Sequence, residues 1–220
     1  MKTLLILLGI LALNTPLQAK EGDIKGYNTY DAMGCMMLFD CTDDVEQITS
    51  FAQIEKEYPT ANFSEIREEA QSLISALNDS GVKVFLGPEK YFPPNHRGVY
   101  HTIGNNFFLN DYYMGDPKTL ISVIRHEGWH AAQDCMAGTI DNNLIAIINP
   151  EEDVPMLWRE LAERTYPPEA VPWEAEAWWA GKTEGMTIDA LKACSTGTMW
   201  EEYEPTPLTR QWLEENGYIK

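Results

Sequence analysis

The sequence predicts an α+β fold, a small and mostly antiparallel sheet packed on a long helix, with a helical C-terminal part. Three observations predict it. Convincing β-rich runs are confined to residues 82–109. Apolar residues recur at helical spacing on both sides of that region. A chain of 220 residues has room for one sizeable core, so a single domain is expected.

The first nineteen residues, MKTLLILLGILALNTPLQA, place Lys2 ahead of an apolar run, then Pro16 and a small residue at Ala19. This reads as a secretory signal peptide (1–19), with the domain occupying 20–220. The apolar run is about half of the ~20 residues that a membrane span needs. An exported protein, secreted or periplasmic, with no stable membrane association is therefore expected.

Residues 20–60 lack a clear period, although VEQITSFAQI after Asp43 and Asp44 fits a short capped helix. From Ser64 as a cap, Ile66, Ala70, Leu73, Ile74 and Leu77 recur at helical spacing as far as Gly81. VKVFL (82–86) is a strand that ends at Gly87-Pro88, and GVYHTI (98–103) and FFL (107–109) flank Gly104-Asn105-Asn106 as a hairpin. Asp116 is an N-cap, Pro117 a first helical residue, and the helix they open runs to Gly138. A Pro-rich stretch then surrounds a shorter helix at 156–164. Further helices are expected from Pro172 through WEAEAWWA to Gly181, from Thr187 to about Cys194, and at LTRQWLEEN.

Charge and cysteines narrow the function. With 34 acidic and 16 basic residues the formal charge is −18, which repels phosphate backbones and anionic lipid and so disfavours nucleic-acid binding. Four cysteines fit an oxidising compartment. Cys35 with Cys41, close in sequence, and Cys135 with Cys194, by elimination, is the favoured pairing.

The most specific signal is HEGWH at 126–130. Residues four apart lie on one helix face, so His126 and His130 can aim both imidazoles at one ion, and zinc is the expected cofactor. Glu127, beside them, can reach a metal-activated water as general base. A third ligand is required, and no histidine follows the motif. The downstream WEAEAWWA offers Glu174 and Glu176, which point about 200° apart on a helix, so only one can serve. Glu174 is preferred because small Ala177 follows it by one turn where Glu176 has Trp179. Gly128, which costs about 1 kcal/mol in a helix, suggests a close helix crossing.

HEGWH followed by the EAEA helix resembles the gluzincin group of zinc metallopeptidases. The resemblance implies a zincin-like fold, zinc on His126, His130 and Glu174 or Glu176, and Glu127 as base and proton shuttle. It also implies hydrolysis of peptide bonds in a peptide or protein substrate held against an edge strand, here YHTIGNNFFLN. The aspartate or asparagine that several members of the group place four residues after the ligand glutamate is replaced here by Trp178 or, in the other register, Ala180. Asp134 is the candidate substitute.

A monomer is expected. The alternative from another class is a non-catalytic zincin-like domain that binds metal or a partner. A di-iron carboxylate bundle would need a second E-x-x-H, which the sequence lacks. Trp173, Trp178 and Trp179 read as packing residues rather than a pocket, and His101 as a strand histidine bonded locally.

Overall fold

Short apolar runs supply a mixed four-stranded sheet, seen in a computed structural model that describes residues 29–140, 142 and 144–220. The strands are β1 (Glu46–Ile48), β2 (Lys83–Gly87), β3 (Gly98–His101) and β4 (Asn106–Asn110), in the spatial order β1-β2-β4-β3. The outer pairs are antiparallel and the central pair, β2 with β4, is parallel. The expected signal peptide lies outside the described residues.

β4 is buried along its whole length because both faces of the sheet are covered. Val84, Leu86, Phe107 and Leu109 face the main core, whereas Phe85 and Phe108 face a second cluster with Met36, Tyr91 and Phe92. That second layer is built by α1 (Thr29–Met37) and a single 3-10 turn, Glu89–Tyr91.

On the main face lie α2 (Phe51–Glu57), α3 (Arg67–Asp79), α4 (Asp111–Met114) and the central α5 (Pro117–Met136). The C-terminal part is helical, as expected: α6 (Met156–Thr165), α7 (Val171–Lys182), α8 (Met186–Thr196), α9 (Met199–Glu202) and α10 (Pro207–Glu215). α5 begins as the sequence indicates, with the Asp116 carboxylate accepting the Thr119 N–H at 2.8 Å and Pro117 in the first turn. From Glu127 to Met136 every residue of α5 is buried, because α3, α7, α8 and β3 surround it. Arg125 bolts it to α3 through a two-pronged pair with Glu69 at 2.6 and 2.5 Å.

Two details differ from expectation. Ser64 caps nothing: α3 starts at Arg67 after a turn in which Asn62 Oδ1 accepts the Ser64 N–H, so a local Asx bond displaces the cap. The stretch VEQITSFAQI divides, its first half pairing with β2 as β1 and its second half forming α2 behind Ser50. Both favoured disulfides are present, Cys35–Cys41 and Cys135–Cys194, and the second joins α5 to α8.

Candidate metal centre

Four-residue spacing on α5 does bring the two imidazoles together, with ring centroids 5.0 Å apart and nearly perpendicular planes. α7 packs antiparallel across α5 and presents Glu174 to them. Its Oε2 lies 3.4 Å from His126 Nε2 and 3.7 Å from His130 Nε2. These separations are long for N–H···O bonds, and Glu174 Oε2 is buried with no hydrogen-bond partner. Among the described residues, His126, His130 and Glu174 are the group whose ligand atoms, all within 4.8 Å of one another, could hold a metal ion.

Glu176 is not part of this group. Rotated about 200° around α7 from Glu174, it is fully buried. Its carboxylate accepts hydrogen bonds from Gln133 Nε2 (2.7 Å), Ile148 N–H (3.1 Å), Asn149 N–H and, at 3.4 Å, Trp129 Nε1. It anchors the 144–150 segment to α5 and α7.

Gln133 links the two glutamates' roles. Its Oε1 lies 2.8 Å from His130 Nδ1 while its Nε2 donates to Glu176. An amide oxygen can only accept, so this contact places a proton on His130 Nδ1, and it is the neutral form of that tautomer whose Nε2 lone pair could bind a metal. Gln133 thus does what was expected of Asp134, which accepts instead the Tyr100 hydroxyl at 2.8 Å. The other histidines stay out: His96 is exposed, and His101 closes the β3–β4 hairpin beside the Gly104 turn.

The approach of the helices has identifiable causes. A Cβ on Gly181 of α7 would stand 3.1 Å from the Ser122 carbonyl oxygen and 3.3 Å from His126 Cβ. Gly181 therefore permits the α5–α7 crossing. Gly128 faces the other way, toward Thr187 and Leu191 of α8, so its close crossing is with α8 and not with the glutamate helix.

Glu127 points to the opposite wall, formed by edge strand β3. A Cβ on Gly98 would lie 3.0 Å from Glu127 Cγ and 3.3 Å from its Oε1, so only glycine lets the strand come this near. Asn110 N–H donates to the Arg97 carbonyl, which fixes the alternation along β3. Arg97, Val99 and His101 turn their backbone groups to β4, and Gly98 and Tyr100 turn theirs outward. The outward Tyr100 N–H bonds to the Glu127 carboxylate. The unpaired edge of the sheet therefore borders Glu127 and the candidate metal ligands beside it.

Electrostatics follow from this crowding. Burial pushes the Glu127 carboxyl above the usual carboxylate range, against the opposing pull of His126 and His130. Burial opposes a charged His130 ring, but the Glu174 carboxylate outweighs it and holds the group up at about 9. Glu174 is correspondingly held well below its ordinary value, because its contacts with both histidines exceed the cost of its burial.

One neighbour is invisible to motif reading. Tyr166, just past α6, places its phenol within reach of Glu174 and close enough to Glu127 to feel its charge; with burial foremost, these keep the hydroxyl protonated. Trp178 packs edge-on against it, ring centroids 6.3 Å apart, with its Nε1 3.3 Å from the hydroxyl. Trp179 packs in the α6–α7 cluster as expected, whereas Trp173 lines an apolar cavity of about 550 Å³ beside α10. The signal that would have found Tyr166 and Gln133 is tertiary, although Gln133 does lie one turn beyond His130. Comparison with known protein families, with curated proteins and with solved structures gives no match, so the site rests on its own geometry.

Proposed function

We propose that the protein is an exported zinc metallopeptidase of gluzincin type that hydrolyses peptide bonds with Glu127 as general base. The observation that carries the reading is one juxtaposition. Two imidazoles and the Glu174 carboxylate converge, Glu127 stands beside them without joining the cluster, and an open strand edge borders Glu127. A closed structural site has no use for such a carboxylate, which weighs against a non-catalytic domain.

The donor set suits zinc. Ligand bonds of about 2.0–2.2 Å in a tetrahedron put neighbouring ligand atoms roughly 3.3–3.5 Å apart, and the 3.4 and 3.7 Å contacts of Glu174 are close to that. Its otherwise unpartnered buried oxygen points the same way. Zinc, when bound, supplies a Lewis acid that polarises the carbonyl and lowers the pKa of water from about 15.7 to about 7.

The remaining chemistry belongs to the chain. Glu127, its basicity raised by burial, removes a proton from the attacking water and delivers it to the departing amine. Tyr166, kept protonated, donates to the negative oxygen that develops on the carbonyl carbon. Gly98 and the Tyr100 carbonyl offer the outward backbone groups on which an extended peptide pairs.

The test is Glu127→Gln, with zinc content measured by elemental analysis and cleavage followed on a quenched peptide mixture. Bound zinc with activity reduced by roughly 10²–10⁴-fold is expected. Undiminished cleavage would overturn the mechanism, and a wild-type protein that takes up no zinc would overturn the metal assignment.

A further inference from the structure

Asp134 is a buried titratable group that the proposed chemistry leaves unused. It lies on α5 one turn beyond His130 and is fully shielded from solvent. A carboxyl group in such a position is costly unless a partner holds it there. One partner belongs to the edge of the sheet: Asp134 Oδ2 accepts the Tyr100 hydroxyl at 2.8 Å. Burial beside this carboxyl group keeps the Tyr100 phenol protonated, so the tyrosine is the donor.

The bond matters because of what β3 lacks. β3 is an outer strand, paired with β4 alone. Val99 packs into the second layer and His101 shares that face by alternation, whereas Gly98 and Tyr100 face α5. Gly98 brings no side chain, and a Cβ there would crowd Val123 and Glu127. Tyr100 is therefore the one β3 side chain that can fasten the strand to the helix. Glu127 and Asp134 lie on one flank of α5, within about 20° of each other and about 10 Å apart along the axis. The strand runs beside that flank, with Gly98 at Glu127 and the Tyr100 hydroxyl at Asp134.

We propose that Tyr100 and Asp134 form a positioning clamp, whose hydrogen bond holds the edge strand β3 against α5 so that a peptide docked on β3 lies in register with Glu127. This deepens the peptidase reading and rests on it. Neither side chain touches the reacting atoms; both act through the strand. Without the clamp, a peptide that pairs with β3 must also order it, and that cost appears as weaker docking. The candidate metal ligands sit on α5 and α7, which pack on each other and on α8 without β3.

The experiment uses the zinc-loaded full chain and the quenched peptides that follow cleavage. Each peptide is also made with a single fluorophore, for binding by anisotropy in the Glu127→Gln background. Tyr100→Phe keeps the ring and removes the bond. It should raise KM and weaken peptide binding roughly 10-fold or more, with zinc affinity unchanged. A merely structural role would lower the folded fraction, which reduces the apparent kcat and leaves KM as it was. Asp134→Asn retains an acceptor oxygen and should keep a KM near that of wild type. The double variant Tyr100→Phe/Asp134→Asn removes the buried carboxyl group along with its donor, and covers the case in which Tyr100→Phe alone fails to fold. It should show the same raised KM. Unchanged KM and binding in the Tyr100→Phe variants, or an equal loss in Asp134→Asn, would overturn the clamp. If wild type cleaves nothing, yet the labelled peptides bind and Tyr100→Phe weakens them, the peptidase reading fails and the clamp stands. Labelled peptides that bind with and without the Tyr100 hydroxyl equally, or not at all, refute the clamp itself.

Discussion

Glu174 and Glu176 lie two helical steps, about 200°, apart, and that rotation separates a candidate metal ligand from a structural anchor. Helix geometry alone narrowed the choice to one of two, since two residues apart cannot share an ion. What decided between them is the set of donors around Glu176: a glutamine side chain, an indole and two backbone N–H groups. No spacing rule encodes those, because the backbone donors come from a segment without helical or strand pattern. The two glutamates therefore predict phenotypes that zinc uptake separates. Glu174→Gln should abolish stoichiometric zinc uptake and also destabilise the metal-free protein at neutral pH, because the carboxylate held down by both histidines no longer pairs with them. Glu176→Gln should take up zinc but lose roughly 1–3 kcal/mol of stability in urea, because an amide N–H₂ then faces donors. Gln133→Ala lies between these, with zinc affinity falling about 10–100-fold as His130 loses its orienting acceptor. A competition titration against a chelator measures that loss.

At the level of elements, the helices were largely legible and the sheet partly so. α5, α7, α8 and α10 carry strong local signals, such as Asp116-Pro117 at the start of α5 and Thr206-Pro207 at the start of α10. β1 has no alternation to betray it: Glu46 and Gln47 are exposed and only Ile48 is buried, so pairing with β2 makes the strand. α1 sits where no period is visible; its contact with the 3-10 turn and the Cys35–Cys41 bridge hold it in place. Helix crossings were legible in kind but not in partner, since a mid-helix glycine says that something comes close without saying what. The pair Gly128 and Gly181 turns this into a measurement. Gly128→Ala meets a methyl group of Thr187 at 3.0 Å, a side chain that can yield, and it gains about 1 kcal/mol of helix propensity. Its stability should change little. Gly181→Ala meets a backbone carbonyl of α5 at 3.1 Å, so α7 must shift. A loss of about 1–3 kcal/mol and weaker zinc binding should appear together, by urea unfolding and chelator competition.

Across the whole molecule, the site depends on keeping α5 fixed among α3, α7, α8 and β3, and its last turn is tied covalently. All four cysteines are paired, which fits an oxidising compartment, and no helix among the described residues is long and apolar enough to cross a membrane. The two bridges are unequal in the unfolded chain. Cys135–Cys194 spans 59 residues and Cys35–Cys41 only 6. On a loop-entropy account the first contributes about 4 kcal/mol and the second about 2. The longer bridge also lies five residues past His130 on the same helix, whereas the shorter one lies in the layer across the sheet. Replacing Cys135 and Cys194 by alanine together should therefore lower Tm by roughly 8–16 °C and make folding more dependent on zinc. Replacing Cys35 and Cys41 should lower Tm by about half as much, with zinc affinity unchanged. Calorimetric melting of both variants, with and without zinc, checks this. Equal zinc dependence in the two would mean that the metal centre is held by the packing of α7 and α3 alone, without help from the covalent tie to α8.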